Sequence, residues 1–342
     1  MSLYTTDVAI IGAGPVGLFA VFECGMLRMG CHVIDALDMH GGQCAALYPE
    51  KPIYDIPGQP TLAAEELIER LRAQAAPFAP TYHLGQRVVG LTRVGEGAGA
   101  GWRLETSAGT LIEARAVIVA AGCGAFGPNR PPLPGIEAFE GTSVFYMVRR
   151  REDFRGKRVV IAGGGDSALD WILSLAEVAR KIHVVHRRAK FRGAPESVAR
   201  LHALAEGGGV VELVVPYQLA GLHGRDGVLE GVTVKTLDGA TRRLEADVLL
   251  PFFGLSMSLG PIAQWGLDVE HNLIQVDPAT CRTNLPGVYA IGDIVMYPGK
   301  LKLILCGFSE AAMAAHAIYP LVHPEQELHW EYSTTKGLPG PT

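Results

Sequence analysis

Two glycine motifs of the same type occur in this chain, each between a short apolar run and a helical stretch. The first motif, G-x-G-x-x-G, consists of Gly12, Gly14, Pro15 and Gly17. The second motif, G-x-G-x-x-A, consists of Gly163, Gly165, Asp166, Ser167 and Ala168. Glycine lets the chain turn tightly and lets backbone N–H groups approach a pyrophosphate at the amino end of the helix. Strand, glycines and helix in this order therefore predict two dinucleotide-binding sites.

Each glycine motif lies in a β-α-β unit, and the residue that follows the second strand of this unit differs between the two copies. Asp35 follows the strand predicted over Cys31–Ile34, and His186 holds the matching place after Ile182–Val185. A carboxylate here suits an unphosphorylated ribose, although a surface aspartate is the alternative. His186 is expected only to position the turn, and three arginines that suit a 2′-phosphate follow it: Arg187, Arg188 and Arg192. The same unit thus occurs twice, and the second copy is predicted to bind NADPH.

The elements that position these residues follow from the apolar pattern. Short apolar runs predict buried strands, and they are Asp7–Ile11, Cys31–Ile34, Arg87–Val94, Trp102–Thr106, Thr110–Glu113, Ala116–Ala121, Val159–Ala162, Ile182–Val185 and Ala246–Phe253. Helical spacing predicts helices over Thr61–Ala75, with Thr61 as N-cap, and over the alanine-rich Phe308–Tyr319. Met39–Pro57 is predicted to be a functional loop, and Pro128–Pro134 a linker.

These elements predict an α/β fold. It contains two Rossmann-like, three-layer ββα dinucleotide-binding domains, the second inserted into the first. The first domain is predicted to be discontinuous, over residues 1–122 and 256–342, and the second covers residues 123–255.

The composition fits two globular domains and argues against several other classes. Of the 342 residues, 48% are hydrophobic and 19% charged, so a large core can form. A net charge of −5 and an aromatic content of 7% argue against a nucleic-acid-binding protein. No run of about 18 apolar residues predicts a membrane span. The amino terminus lacks a basic start and a cleavage site, so a cytoplasmic protein is predicted.

The six cysteines show no spacing typical of a reactive or metal-binding group. They are Cys24, Cys31, Cys44, Cys123, Cys281 and Cys306. No two form C-x-x-C, and none combines with histidine at zinc spacing, so no metal site is predicted. Free and mostly buried thiols are expected.

Several longer motifs resemble one family. They are GGQCAALYPEKPIYDIPG (41–58), GGGDSALDW (163–171), VHRRAKFRGAPESV (185–198), LGPIAQWGLD (259–268), AIGDIVMYPGKLKLILCGF (290–308) and WEYSTT (330–335). Over essentially its whole length the chain resembles the flavoproteins with two dinucleotide-binding domains. It is most similar to the thioredoxin-reductase-type ferredoxin–NADP⁺ reductases. The resemblance implies FAD in the first domain, NADPH/NADP⁺ in the second, and ferredoxin or flavodoxin as the partner.

One feature of thioredoxin reductases, which the chain also resembles, does not occur here. Those enzymes place a C-x-x-C dithiol just before the second glycine motif, whereas the matching segment, Ser143–Arg149, contains no cysteine. A flavin cannot pass an electron pair to a disulfide through the protein without neighbouring thiols. Hydride transfer from NADPH to the flavin, followed by single-electron steps to the carrier, is therefore expected. Three alternatives stay open: a dithiol formed by Cys123 and Cys306 in the fold, a disulfide or small-substrate reductase without C-x-x-C, and a flavin-bound redox sensor without turnover.

The resemblance also implies roles for single residues. The first glycine motif would hold the FAD pyrophosphate, Asp35 the adenosine ribose, and Asp293 the ribityl chain. Val88 would contact the adenine. Four residues would lie near the flavin ring: Gln43, Tyr48, Asp55 and Phe126. For Tyr48, simple packing of the loop is the alternative.

The carboxyl-terminal tail, residues 330–342, would cover the other face of the flavin. In the reductases that the chain resembles, such a tail reaches across from the partner subunit, which implies a homodimer. Tyr332 would stack on the ring and Thr334 would touch the cofactor. Tyr48 and Tyr332 are therefore the predicted catalytic residues, and a frayed terminus is the alternative for the tail.

A set of basic residues just before the second motif is called the arginine cluster below. It consists of Arg149, Arg150, Arg151, Arg155, Lys157 and Arg158. Either it is a docking patch for an acidic ferredoxin, or it is an ordinary solvated face.

Overall fold

A computed structural model describes residues 2–206, 208–328 and 337, without the side chains of residues 98, 125–128 and 255–257. The chain forms two compact units. Unit 1 consists of Met1–Phe126 and Met257–Thr342, and unit 2 consists of Gly127–Ser256. Unit 2 is thus inserted into unit 1, and its limits lie within four residues of the predicted domain limits.

The described residues contain six α-helices and strands in both units. The helices are α1 (Pro15–Met26), α2 (Gln43–Leu47), α3 (Ala64–Ala75), α4 (Asp166–Leu175), α5 (Pro195–Glu206) and α6 (Ile304–Val322). The strands before residue 129 are β1 (Leu3–Ile11), β2 (Cys31–Ile34), β3 (Pro52–Ile53), β4 (Leu62–Ala63), β5 (Thr81–His83), β6 (Val88–Val94), β7 (Gly101–Thr106), β8 (Leu111–Val119) and β9 (Ala125–Pro128). Those that follow up to residue 258 are β10 (Arg158–Ala162), β11 (Lys181–Val185), β12 (Val211–Val214), β13 (Gln218–Arg225), β14 (Val228–Lys235), β15 (Thr241–Glu245), β16 (Val248–Pro251) and β17 (Leu255–Ser258). The last strands are β18 (Val269–Glu270), β19 (Leu273–Gln275), β20 (Val288–Ala290) and β21 (Val295–Met296).

The main sheet of unit 1 has the order β5-β2-β1-β8-β7-β6, and β20 also pairs with β8. Strand β1 runs parallel to both β2 and β8. Val8 and Ile10 of β1 face a core cluster that includes residues of α1 and α6. Ala9 and Ile11 face a second cluster, which includes Trp102 of β7. The carboxyl-terminal half of β1 is buried on both faces and is therefore apolar, and the carboxyl ends of β1, β2 and β8 meet at one edge of the sheet.

Unit 2 has a similar but smaller arrangement. Its parallel sheet has the order β12-β11-β10-β16, and β13-β14-β15 form a separate antiparallel sheet. One core cluster joins the two sheets, with Val160 of β10 and Val232 of β14 among its members. Helix α4 buries Leu169, Ile172 and Leu175 along one side. The chain enters and leaves unit 2 through β9 and β17, which pair with each other.

Three local predictions were wrong in detail. The third helix begins at Ala64 rather than after Thr61, and its N-cap, Ala63, makes no side-chain capping bond. Leu62–Ala63 instead pair with Pro52–Ile53 as a short strand. The strands predicted over Thr110–Glu113 and Ala116–Ala121 are one continuous strand, β8, because its pairing with β1 continues through Ala114 and Ala116. The predicted loop Met39–Pro57 contains α2 and β3.

Helix α6 is the one described helix with the length and hydropathy to span a membrane. One side of it lies in the unit 1 core, where Ala311, Ala314, Ala315 and Ile318 have no exposed surface. The helix also carries a buried carboxylate, Glu310. A core helix satisfies the same length and hydropathy criteria, so we assign α6 to the core of unit 1.

Candidate functional site

A cavity of about 370 Å³ opens at the carboxyl ends of β1, β2 and β8. Its lining includes most of the residues predicted for FAD, although they come from distant parts of the sequence. The predicted residues that line it are Gly12, Gly14, Pro15, Asp35, Gln43, Tyr48, Val88 and Asp293. The edge of a parallel sheet where strands end is the usual place for a ligand in this type of fold.

The three glycines of the first motif have different surroundings. A Cβ on Gly12, whose φ is +116°, would lie 2.3 Å from the carbonyl oxygen of Ala120. A Cβ on Gly17 would lie 1.9 Å from the carbonyl oxygen of Gly12, and Gly17 does not line the cavity. Around Gly14 no atom lies within 4 Å of the Cβ position. The first and third glycines therefore allow close packing of the loop and α1, while Gly14 leaves room for a ligand.

Asp35 lies on the cavity wall just after β2, so the structure does not show a simple surface aspartate. Its Oδ2 accepts a hydrogen bond from Ala13 N at 2.6 Å, and its Oδ1 accepts one from Leu37 N at 2.8 Å. Burial raises the pKa of Asp35, and the two backbone donors oppose this rise. Each carboxylate oxygen keeps a lone pair that can accept a bond from a ligand hydroxyl.

Helix α2 places Gln43 and Cys44 on another wall of the cavity, and Tyr48 follows directly. The Cys44 thiol donates to the Tyr48 hydroxyl at 3.9 Å. Burial is the main cause that raises the pKa of Cys44 to about 11, and it also raises the pKa of Tyr48. Cys44 is therefore a protonated thiol at neutral pH and a weak nucleophile.

Asp293 completes this side of the cavity at the short 3₁₀ turn Gly292–Ile294. Burial raises the pKa of Asp293, and the ammonium groups of Lys300 and Lys302 oppose this rise. The neighbouring Gly292 has a φ of +82°, a conformation that favours glycine.

Some predicted site residues are not brought to the cavity, or fall outside the described structure. Asp55 is exposed and does not line the cavity. Tyr332 and Thr334 lie outside the described residues, and Phe126 lies in β9 with its side chain outside the described part.

Sequence reasoning missed several lining residues. They are Gly42, Gln86, Arg87, Leu259, Gly260, Pro261, Ile262 and Trp265, among others. Gly42 and the segment Leu259–Trp265 lie in two of the motifs that carry the family resemblance, 41–58 and 259–268. Their presence in those motifs was the available signal.

The second glycine motif lies between β10 and α4 and has comparable geometry. A Cβ on Gly163 would lie 2.7 Å from the carbonyl oxygen of Phe252, whereas no atom lies within 4 Å of the Cβ position of Gly165. Asp166 and Ser167 are exposed, and Asp166 accepts a hydrogen bond from Ala194 N at 2.9 Å. Ala168 is buried, so it packs the helix against the loop rather than facing solvent.

The arginines predicted for a 2′-phosphate are exposed at the end of β11: Arg187, Arg188 and Arg192. His186 lies beneath them and is buried. Its ring stacks on Phe191 with a centroid distance of 5.1 Å, and a Cβ on Gly164 would lie 2.5 Å from the ring. Burial, together with these three arginines, lowers the pKa of His186. The neutral ring thus supports the glycine loop from below.

The arginine cluster is largely neutralised by carboxylates. At least four of its members form ion pairs: Arg150 with Asp153, Arg151 with Glu177, Arg155 with Glu152, and Arg158 with Asp247. Paired charges project a weaker field than free charges, so this arrangement favours the solvated-face interpretation over a docking patch.

Both sites fit a dinucleotide. Each offers an open glycine at the amino end of a helix, and only one is followed by a cluster of arginines. Two such β-α-β units in one chain, with a cavity on the first, are typical of the class of two-domain proteins that bind two dinucleotides.

Comparison with known proteins agrees with this class. Residues 6–317 match the family described as pyridine nucleotide-disulphide oxidoreductase. The thioredoxin reductase of Lactococcus lactis (FR conformation) superposes with a TM-score of 0.78 at 23% identity, covering 93% of this chain and 99% of that chain. The bacillithiol disulfide reductase Bdr of Staphylococcus aureus has a TM-score of 0.75 at 16% identity, covering 94% and 100%. These likenesses confirm the predicted two-domain Rossmann-like fold.

Some relatives that match over nearly their whole length are more similar in sequence than these solved structures. The ferredoxin–NADP reductase of Paramagnetospirillum magneticum is 65% identical over 339 residues, which is 99% of each chain. That of Rhodospirillum rubrum is 64% identical over 335 residues, 98% of this chain and 97% of the relative. This chain therefore belongs to the ferredoxin–NADP reductases within the pyridine nucleotide-disulphide oxidoreductase family. The predicted family is confirmed, and membership implies FAD and NADPH as cofactors.

Proposed function

We propose that this chain transfers electrons between NADPH and a one-electron protein carrier, ferredoxin or flavodoxin. The observation that carries the proposal is the state of the thiol at the cavity. Cys44 is the one cysteine among the described lining residues, and its hydrogen-bond partner is Tyr48 rather than a second thiol. The Cys24 and Cys31 thiols interact with each other, but both are buried and neither lines the cavity. The relatives named ferredoxin–NADP reductase support the same function.

Unit 1 is proposed to hold FAD. Backbone N–H groups of the Gly12–Gly14 loop would donate to the pyrophosphate. Pro15, which has no N–H, would start α1, whose amino end favours the anion electrostatically. The Asp35 carboxylate would accept a hydrogen bond from a hydroxyl of the adenosine ribose. The Asp293 carboxylate would accept one from a hydroxyl of the ribityl chain. Bound flavin supplies the exchange between a two-electron donor and a one-electron acceptor.

Other lining residues are proposed to fix the position of the flavin ring. Tyr48 would stack on one face, and Gln43 would offer its amide to the ring edge. The protonated Cys44 beside Tyr48 would stay unreactive toward disulfides. Val88 would contact the adenine. Asp55 has no supporting contact in this cavity, so we do not assign it a role.

Unit 2 is proposed to hold NADPH. The open Gly165, with the exposed Asp166 and Ser167, would receive the pyrophosphate at the amino end of α4. Arg187, Arg188 and Arg192 would bind the 2′-phosphate through charge-assisted hydrogen bonds.

Two finer points rest on the family resemblance. We propose a homodimer in which the tail of one subunit, with Tyr332 and Thr334, covers the flavin of the other. A truncation that ends at His329 tests this point, since unchanged flavin spectrum and turnover would contradict it. We also propose a cytoplasmic location, which agrees with six free cysteines in a reducing compartment.

The carrier and the alternatives are tested together by steady-state turnover. NADPH oxidation is measured with ferredoxin coupled to cytochrome c, and in parallel with thioredoxin and a disulfide reagent. Rapid carrier reduction and negligible disulfide reduction are expected. Disulfide reduction that Cys44→Ser abolishes would favour the disulfide-reductase alternative instead. Absence of turnover with every acceptor would favour the redox sensor.

A further inference from the structure

A buried ion pair lies directly behind the cavity wall that contains Asp293. Lys300 and Glu310 form this pair, and their side chains are 3% and 1% exposed. Removing two charges from water is costly unless each finds several well-placed partners. The other groups that Lys300 and Glu310 bind therefore indicate what the ion pair does.

Both oxygens of Glu310 are used. Oε1 accepts hydrogen bonds from the Tyr297 hydroxyl, at 2.6 Å, and from the Lys300 ammonium group. Oε2 accepts one from the backbone N–H of Gly292 at 2.6 Å. Gly292 immediately precedes Asp293 and also lines the cavity. The network thus ends on the backbone of the cavity wall.

The same network joins three elements that are separate in sequence. Glu310 belongs to α6, Lys300 and Tyr297 follow β21, and Gly292 belongs to the 3₁₀ turn. Helix α6 is also fixed against α1, since a Cβ on Gly307 would lie 2.4 Å from a methyl group of Val16. Val16 itself lines the cavity. The Glu310 carboxylate therefore fixes the position of the Gly292–Ile294 turn relative to α1 and α6.

We propose that the Lys300–Glu310 ion pair, closed by Tyr297, is a positioning element that holds the Gly292–Asp293 turn against bound FAD and so sets how tightly the chain retains the cofactor. The inference rests on the proposed FAD site. It concerns residues that touch the turn rather than the cofactor.

Charged groups around Asp293 provide a second readout. Lys300 and Lys302 stabilise its carboxylate, while Glu310 destabilises it. Tyr48 and Cys44 also interact electrostatically with Asp293. Without the Lys300 charge, Asp293 becomes protonated at a higher pH. The protonated carboxyl is a weaker acceptor for a ligand hydroxyl than the carboxylate, so FAD release on acidification begins at a higher pH.

The test uses holoenzyme variants, with FAD release followed by the fluorescence of free flavin. Lys300→Met is expected to raise the FAD dissociation constant about tenfold or more, since an unpaired buried carboxylate remains. Its pH midpoint for FAD release should move upward. Tyr297→Phe removes one bond to Glu310 at nearly constant volume, so a smaller rise is expected, and this variant serves if Lys300→Met does not fold.

Two further variants separate positioning from general effects. Lys300→Met combined with Glu310→Gln removes both charges and should recover part of the affinity lost in Lys300→Met. Lys302→Met removes the other lysine charge near Asp293 without touching Glu310. Its pH midpoint for FAD release should move upward, as in Lys300→Met, but its FAD dissociation constant at neutral pH should stay within about twofold of wild type.

A purely structural role predicts a different result. The melting temperature would fall in Lys300→Met and Tyr297→Phe while the FAD dissociation constant and pH midpoint stayed unchanged. That outcome would overturn the inference. The wild-type flavin spectrum tests the FAD site itself, so failure of the proposed function is distinguishable from failure of this inference.

Discussion

Replacing Gly14 and Gly17 by alanine should separate cofactor binding from folding. Gly14 has φ −72° and ψ −179°, which any residue adopts, and no atom lies within 4 Å of its Cβ position. Alanine there gains about 0.4–1 kcal/mol by restricting the unfolded chain. It loses a similar amount because alanine is a poorer N-cap than glycine, by roughly 0.5 kcal/mol. The free energy of unfolding of Gly14→Ala should therefore stay within about 0.5 kcal/mol of wild type.

The same substitution should weaken FAD binding. The new methyl group stands on the cavity wall, where the proposed pyrophosphate approaches the backbone. Losing one hydrogen bond to a charged group costs about 1.5–3 kcal/mol, which raises the dissociation constant roughly 10- to 100-fold.

Gly17→Ala, in contrast, should lower the unfolding free energy. The Cβ that this substitution adds would lie 1.9 Å from the carbonyl oxygen of Gly12, whereas ordinary van der Waals contacts start at a distance of 3.4 Å. Backbone must move to relieve this overlap, so a loss of about 1–3 kcal/mol or more in unfolding free energy is expected.

Both variants are assayed in the same way. Urea unfolding of FAD-stripped protein, followed by circular dichroism, gives the free energy of unfolding, and flavin fluorescence quenching on rebinding gives the dissociation constant. If Gly14→Ala destabilises the fold as much as Gly17→Ala, or binds FAD as tightly as wild type, then Gly14 does not have the ligand-facing role assigned to it.

Three further predictions follow from the two sites and their surroundings. Arg187→Ala with Arg188→Ala should raise the KM for NADPH about tenfold or more and leave that for NADH nearly unchanged, and equal losses would contradict the 2′-phosphate assignment. Iodoacetamide at pH 7 should modify the partly exposed Cys123 and Cys306 but spare Cys44. Modification of Cys44, measured by mass spectrometry, should increase as the pH approaches its pKa of about 11. Rapid labelling of Cys44 at pH 7 would show that its thiol is not protonated there. Hydrogen bonds from Arg158 lower the pKa of Asp247, so its carboxylate stabilises unit 2 above the unfolded pKa of about 4 and loses this effect as the pH falls below it. Asp247→Asn should therefore lower the unfolding free energy by about 1 kcal/mol at pH 7, with a difference that shrinks below about pH 4, and a pH-independent difference would exclude the ionic origin.

Local sequence was enough to predict the glycine loops and the residues that end each β-α-β unit. Gly12 and Asp35 meet in one cavity because a strand, a helix and a parallel strand fix the geometry of the short segment between them. The second unit follows the same rule from Gly163 to Arg187. Here the physical determinants lie within one supersecondary unit, so no long-range information was needed.

Other features depend on contacts between distant segments. The Thr61 cap was wrong because Leu62–Ala63 pair with Pro52–Ile53, an interaction that helix signals do not reveal. The arginine cluster looked like a basic patch because some of its partners, such as Glu177 and Asp247, lie further along the sequence. In the same way, nothing in the sequence alone indicated that Glu310 binds the backbone of Gly292.

We propose that electrons leave the flavin for a one-electron carrier and not through a protein dithiol. The most direct test is the anaerobic absorption spectrum of the purified protein during successive additions. NADPH should bleach the flavin absorption, oxidised ferredoxin or flavodoxin should restore it, and oxidised thioredoxin should leave it bleached. Restoration by thioredoxin but by neither carrier, or an absorption that NADPH does not bleach, would contradict the account.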